Sequence, residues 1–213
     1  MFTLIFANGT LDSSPELAAL LKQADLIIAA DGGANHCTRL AVTPDILLGD
    51  LDSIDAHILA AYEHAGITIH RYPVQKDATD LELALDLAKE KGARTVWLAG
   101  ALGGRWDMSL ANLMLAANEK YQEQHIFLLA GNCFMHLLHP GKVHTINGAP
   151  GQKISVLPLK GDACGVTLRG FTYPLTEQTI SFGSSRGVSN IMRENNATIH
   201  HTAGILLCIL FAE

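Results

Sequence analysis

Residues 95–120 read TVWLAGALGGRWDMSLANLMLAANEK. Thr95–Gly100 is a short run that is apolar on both faces, as a parallel strand covered by helices on each side must be. Two glycines and an arginine follow, and after Trp106 the stretch DMSLANLMLAANEK has a helical pattern. A strand, a glycine loop and a helix in that order form one unit of an α/β layer with a parallel sheet.

Working outward, the same alternation fills the first 130 or so residues. Thr3–Ala7, Asp25–Ala30, Asp45–Gly49, Ile67–Tyr72 and His125–Gly131 read as further strands. Ser14-Pro15-Glu16 is a helix start, with Ser as N-cap and Pro at the first helical position. Thr79-Asp80-Leu81-Glu82 has capping-box spacing before LELALDLAKEKG, which ends at Gly92. Ser53 is a candidate N-cap for another helix. After Gly141 the helical periodicity vanishes, and KISVLPL, GVTLRG, QTISFG, ATIHH and GILLCILF follow as short β-rich pieces. The expected architecture is an α/β domain over residues 1–140 with a mainly parallel sheet. A smaller all-β domain, sandwich or barrel-like, is expected over 141–213, with the boundary near His139-Pro140-Gly141.

Composition narrows the function. A chain 48% hydrophobic and 17% charged is globular, and its net charge of -6 argues against a general nucleic-acid binder. No apolar run is long enough to span a bilayer, and MFTLIFANGTLD lacks the basic start of a signal peptide. Cys37, Cys133, Cys164 and Cys208 are scattered with no C-x-x-C pair, so free thiols and a cytoplasmic location are expected.

Ligands of open parallel sheets bind outside the carboxyl ends of the strands. Four successive strand ends here deliver Asp31-Gly32-Gly33-Ala34-Asn35, Asp50-Leu51-Asp52-Ser53, Gln75-Lys76-Asp77-Ala78-Thr79-Asp80 and Gly103-Gly104-Arg105-Trp106-Asp107. Singly, each acid has an ordinary role: Asp31 as a turn residue, Asp80 and Asp107 as complements to a helix dipole. Acids that merely solvated the surface would show no preference for one edge of a sheet. On an extended backbone Asp50 and Asp52 share a side, within reach of one hard cation. Clustered carboxylates repel each other, and a divalent cation relieves this; Mg²⁺ typically joins one or two carboxylates to substrate phosphates. Gly103, Gly104 and Arg105 supply close backbone approach, a helix N-terminus and a guanidinium fork for phosphate. Neither G-x-x-x-x-G-K-[ST] nor G-x-G-x-x-G is present. His136 with His139, and His200 with His201, tempt a transition-metal reading. Neighbours on a strand face opposite ways, however, and no Cys or acid completes a tetrahedral set.

Asp31-Gly32-Gly33-Ala34-Asn35, Gly49-Asp50-Leu51-Asp52-Ser53-Ile54, Asp77-Ala78-Thr79-Asp80 and Gly103-Gly104-Arg105-Trp106-Asp107, in this order, together resemble the thiamin pyrophosphokinase family. Arg186-Gly187-Val188-Ser189-Asn190 is similar to that family's thiamin-side signature. The resemblance implies a homodimer with active sites between subunits and a reaction in which ATP and thiamin give AMP and thiamin diphosphate, with Mg²⁺. It implies that Asp50, Asp52 and Asp80 form the metal–triphosphate region, and that Asp31 and Asp77 support the polar site around ATP or the thiamin hydroxyethyl group. Arg105, with Asp107 close by, would hold phosphate, and Ser189 and Asn190 would help form the thiamin pocket. Asp31 and Asp80 rank together as acceptors of the hydroxyl proton. The sequence departs from the family at Leu51, where Phe is common, and at Met108, where a His often follows the Asp. The rivals are a pyrophosphokinase for another alcohol such as a hydroxymethylpterin, a metal-dependent phosphoesterase, and a non-catalytic nucleotide or thiamin-binding regulator.

Overall fold

The six apolar runs pair side by side as parallel strands: β1 (Phe2–Phe6), β2 (Leu26–Ala30), β3 (Ile46–Gly49), β4 (Thr68–Arg71), β5 (Thr95–Ala99) and β6 (His125–Ala130). They come from a computed structural model that describes residues 1–212. Their order across the sheet is β4-β3-β2-β1-β5-β6. The chain therefore lays strands to one side of β1 and then returns to lay β5 and β6 on the other. Between β1 and β5 the winding direction switches, which in such sheets opens a crevice at the carboxyl ends. Leu4, Ile5, Ile28, Leu47, Leu48, Val96, Leu98, Ile126 and Leu128 are fully or nearly fully buried, as strands covered on both faces require.

The connections are the helices α1 (Pro15–Gln23), α2 (Gly33–Arg39), α3 (Ala56–His64), α4 (Asp80–Glu90) and α5 (Trp106–Ala116). Ser14 caps α1 by accepting from the Leu17 N–H, and Thr79 caps α4 by accepting from Glu82. Along α4 the buried residues Leu81, Ala84, Leu85 and Ala88 form one apolar stripe. That stripe lies on β1, β2 and β3, and each leucine contributes about 1.5–3 kcal/mol by leaving water. Two local expectations change. The cap of α3 is Asp55, which accepts from His57 N–H, and Ser53 is instead drawn back toward the acids. The helix from Trp106 stops at Ala116, and Glu119–Tyr121 is a separate 3₁₀ turn capped by Asn118.

Contacts divide the chain into two compact units, residues 1–116 with 123–131, and residues 117–122 with the chain from Asn132 on. The second unit holds β7 (Cys133–Leu138), β8 (Val143–Asn147), β9 (Lys153–Arg169), β10 (Leu175–Ile180), β11 (Asn190–Ile191), β12 (Asn196–His200) and β13 (Ala203–Phe211). All its ladders are antiparallel. The sequence boundary at 140 leaves residues 133–138 in the first domain. They lie in the second unit because β7 pairs with β13 from Cys133 to Leu138. KISVLPL and GVTLRG, read as two pieces, form the single strand β9. Its first half pairs with β13 and β11 and its second with β12 and β10, with register shifts against β13 between Pro158 and Cys164. Ile154, Val156, Val166, Leu168, Phe171, Ile199 and Leu206 pack in its core. Among the described residues no helix is long and apolar enough to cross a membrane.

Candidate active site

The register of the parallel strands brings the acids together. Ala30 pairs with Leu48, so the chain leaves β2 and β3 side by side, and the Asp31 N–H donates to the Leu48 carbonyl at 2.7 Å. Asp31 has φ +47, a left-handed conformation that Asp tolerates better than most residues. Leu51 has φ +68, which is costlier for a branched hydrocarbon. The Asp50-Leu51-Asp52 stretch is therefore a turn, where an extended backbone was expected. The turn buries Leu51 in the core and folds Asp52 back, so that its N–H lies 3.3 Å from Asp50 Oδ1. The Ser53 N–H donates to Asp31 Oδ1 at 3.3 Å, and the Ser53 hydroxyl donates to Asp52 Oδ1 at 2.9 Å. Asn35 staples the same turn, donating to the Ser53 carbonyl and accepting from the Asp55 N–H.

Asp31, Asp50 and Asp52 each present one carboxylate oxygen, and the three oxygens lie within 4.8 Å of one another. Three hard anionic oxygens so close suit an oxygen-preferring divalent cation that keeps some of its waters. Asp80 stands beside this group without joining it. Its Oδ1 accepts from Lys76 Nζ at 2.7 Å, and the same ammonium is 3.6 Å from Asp50 Oδ2. Burial lifts the Asp80 carboxyl above its usual range; Lys76 opposes this, while the charges of Asp50 and Asp31 add to it. Burial works against the charged Lys76, but its hydrogen bond to Asp80 and the charges of Asp80 and Asp50 outweigh it and raise the ammonium's pKa. Gly49 separates Asp31 from Asp80. At φ +137 it has a backbone that side chains rarely adopt, and a Cβ there would sit 3.0 Å from Asp80 Oδ1 and 3.1 Å from Asp31 Cβ.

These groups line a cavity of about 460 Å³, within the usual range for small-molecule sites. Asp31, Asp50, Asp52, Ser53 and Asp80 line one part, and Gly103, Gly104, Arg105, Met108 and Asn112 another. The Gly103 N–H is already committed to Ser109 Oγ at 3.0 Å. Arg105 is exposed and forms a two-pronged pair with Asp107, at 3.1 Å from Nε and 2.5 Å from Nη2. That pair, with the carboxylate lowered and the guanidinium raised by mutual hydrogen bonding and charge, holds the fork at the cavity edge. Asp77 is exposed and, like Asp107, does not line the cavity.

Ser189 and Asn190 lie in the second unit. Asn190 is buried with its amide engaged: Oδ1 accepts from the Tyr173 and Ile191 N–H groups, and Nδ2 donates to the Tyr173 carbonyl. Ser189 is exposed at φ +60, and its N–H is held by Ser155 Oγ. Exposed Tyr173 and Val188 flank this loop. Two residues were not singled out from the sequence: Lys76, which pairs with the acids, and Asn112, in the cavity lining. Lys76 carried a signal, being four residues before Asp80 among acids; Asn112, inside an apolar helix, carried only its polarity.

Residues 17–128 match the family description "Thiamin pyrophosphokinase, catalytic domain", and residues 143–206 match "Thiamin pyrophosphokinase, vitamin B1 binding domain". The chain is 31% identical over 205 residues to the thiamine pyrophosphokinase of Bacillus subtilis, covering 96% of each protein. It is 27% identical to thiamine pyrophosphokinase 1 of Arabidopsis thaliana, over 98% of this chain and 85% of that protein. The crystal structure of the Bacillus subtilis thiamine pyrophosphokinase superimposes with a TM-score of 0.88 at 30% identity, covering 100% of both chains.

Proposed function

The chain belongs to the thiamin pyrophosphokinase family, and on that premise we propose that it transfers the pyrophosphoryl group of ATP to the hydroxyl of thiamin, releasing AMP. The observation that carries this reading is the convergence of Asp31, Asp50 and Asp52 at the carboxyl ends of β2 and β3, in one cavity with Gly104 and Arg105. Their oxygens fit Mg²⁺, which when bound would neutralise triphosphate charge during in-line displacement at the β-phosphorus. Asp50 and Asp52 would hold it, with Asp31 completing the set, and Asp80 stands alongside, across Gly49.

The protein's own groups then have divided tasks. Arg105 turns its fork from Asp107 to the phosphates, exchanging one anion for another at an exposed edge. Before nucleotide binds, Asp107 holds that fork in place, and Asp77 supports the polar rim. Lys76 restrains Asp50 and Asp80 and offsets part of their charge, which a bound cation would share. Asp31 and Asp80, both placed against Gly49, are the acceptors for the thiamin hydroxyl proton. Ser189, on the loop that Asn190 clamps to Tyr173, faces the thiamin ring system. The working unit is a cytoplasmic homodimer with active sites between subunits; the free thiols of Cys37, Cys133, Cys164 and Cys208 are consistent with a reducing compartment.

The test is to incubate the protein with ATP, Mg²⁺ and thiamin. AMP formed in step with thiamin diphosphate is the expected result. ADP with thiamin monophosphate, or ATP hydrolysis that needs no alcohol, would overturn the proposal. So would a product from a hydroxymethylpterin but none from thiamin.

A further inference from the structure

Lys76 is a cation built into an acidic site. Its side chain is 14% exposed, and Nζ stands 2.7 Å from Asp80 Oδ1 and 3.6 Å from Asp50 Oδ2. Asp50 therefore belongs to two groups at once. It gives an oxygen to the trio with Asp31 and Asp52, whose members lie within 4.8 Å of one another, and its Oδ2 faces the ammonium. Asp80 belongs only to the second group, although a single glycine separates it from Asp31: a Cβ on Gly49 would lie 3.0 Å from Asp80 Oδ1 and 3.1 Å from Asp31 Cβ. Asp80 opens α4 directly behind its cap Thr79, so its carboxylate is carried on a fixed backbone.

Two cations flanking a shared set of carboxylates is the plan of two-metal phosphoryl-transfer sites, whose ions lie about 3.5–4 Å apart. Here one of the two places is filled from the chain. The ammonium is a compact point charge, and it pairs with Asp80 and Asp50 together. A divalent ion brought to the same two oxygens would meet that ammonium at close range and be repelled. On the other side, the partners of Asp31 and Asp52 are the neutral Ser53 N–H and hydroxyl, which leave their charge to be answered by a metal.

We propose that Lys76 holds the place of a second divalent cation, so that the protein itself binds a single metal ion at Asp31, Asp50 and Asp52 and Asp80 stays out of its coordination shell. The inference rests on the reading of those three acids as the Mg²⁺ site. Lys76 is then a positioning residue, acting through Asp50 and Asp80. It does not line the cavity, whereas both carboxylates do, so it holds them from outside the space that substrate enters. A tethered ammonium, unlike an ion, does not leave with a product, and this half of the site stays neutralised through every turnover.

The experiment counts Mn²⁺ bound per chain, without nucleotide, from the electron paramagnetic resonance signal of the free ion. It uses the unmodified protein, Lys76→Ala, and Lys76→Ala combined with Asp80→Asn. Alanine removes the charge and leaves space for a hydrated ion. The unmodified protein should bind one ion. Lys76→Ala should bind two, the second at least about tenfold more tightly than any further ion binds the unmodified protein. Removing Asp80 as well should return the count to one. Two ions on the unmodified protein would overturn the proposal, and that result needs no variant to fold. A single ion on Lys76→Ala would overturn it too, even a more tightly bound one, because the lysine would then only weaken the local negative potential. Lys76→Gln, also uncharged, replaces Lys76→Ala if alanine prevents folding, with the same expected count. No Mn²⁺ on the unmodified protein would be a separate failure, that of Asp31, Asp50 and Asp52 as a metal site, and would take this proposal with it.

Discussion

Replacing Lys76 with Met removes one charge from the acid cluster while keeping the aliphatic stem. The lost ammonium stands 2.7 Å from Asp80 and 3.6 Å from Asp50, with Lys76 and Asp50 side chains 14% exposed and Asp80 23%. At 2.7 Å and an effective dielectric of about 20, the attraction to Asp80 is about 6 kcal/mol, and the cost of desolvating both ions cancels much of it. Removing one partner of such a largely buried pair costs about 3 kcal/mol. The pH dependence follows from the direction of the Asp80 shift. Burial already raises this carboxyl, Lys76 pulls it down, and Asp50 and Asp31 push it up, so without Lys76 it rises further. A carboxyl raised in the folded state contributes stability only below its unfolded pKa, and loses that contribution as pH climbs through the folded value. The deficit of Lys76→Met should therefore be small near about pH 2.5, below the unfolded-state carboxyl pKa, where this carboxyl is largely neutral in both states, and reach about 3 kcal/mol by about pH 7. Urea unfolding in the presence of a chelator, from about pH 2.5 to about pH 7.5, measures this directly. Millimolar Mg²⁺ should then recover part of the loss at neutral pH by replacing the missing positive charge. A deficit of the same size at every pH would refute the electrostatic account and leave lost packing as the cause.

Asp52→Asn should lower turnover by about a hundredfold or more while shifting stability by no more than about 0.5 kcal/mol, since the side chain is exposed and Asn can still accept from Ser53. Loss of folding in circular dichroism would show a structural acid. Gly49→Ala forces φ +137 on a residue with a Cβ and crowds Asp80 and Asp31. It should cost about 1–3 kcal/mol in a urea melt and impair turnover even where the protein stays folded. His201 is fully buried, and burial first, then the neighbouring His144, pushes its pKa down from 6.5 to about 4. A depressed histidine leaves the unfolded chain binding the extra proton, so stability falls as pH drops from about 6.5 to about 4, by about 3 kcal/mol in all. His201→Phe should flatten that part of the acid limb, and an unchanged limb would place the titration elsewhere.

Much of the first unit is written in local chemistry. Ser14 and Thr79 cap their helices because the donors they satisfy lie three residues away in the same chain. The parallel strands are legible because burial on both faces demands uninterrupted apolar runs. The concentration of acids at strand ends is legible too, since those positions follow directly from where each run stops. The second unit is less so. Nothing within KISVLPL or GVTLRG says that they continue through residues 160–165 as one strand; pairing with β13, β12 and β10 decides it. Residues 133–138 belong to the second unit for the same reason, because a partner strand some seventy residues later claims them.

Within the site, the sequence determined which residue types arrive at the sheet edge, and only the tertiary structure decided which of them meet. Asp31 joins Asp50 and Asp52 because Ala30 and Leu48 are in register, a relation between strands that spacing along the chain does not contain. Asp80 is drawn to Lys76 because both are taken from water at the same place, and a buried charge must find its opposite. Leu51 adopts a left-handed backbone because burying its side chain repays the local strain, a balance between distant packing and nearby geometry. Asn112 shows the same division: its position on a helix was readable, but the acceptor it leaves open exists only because the Ala101 carbonyl occupies its other half.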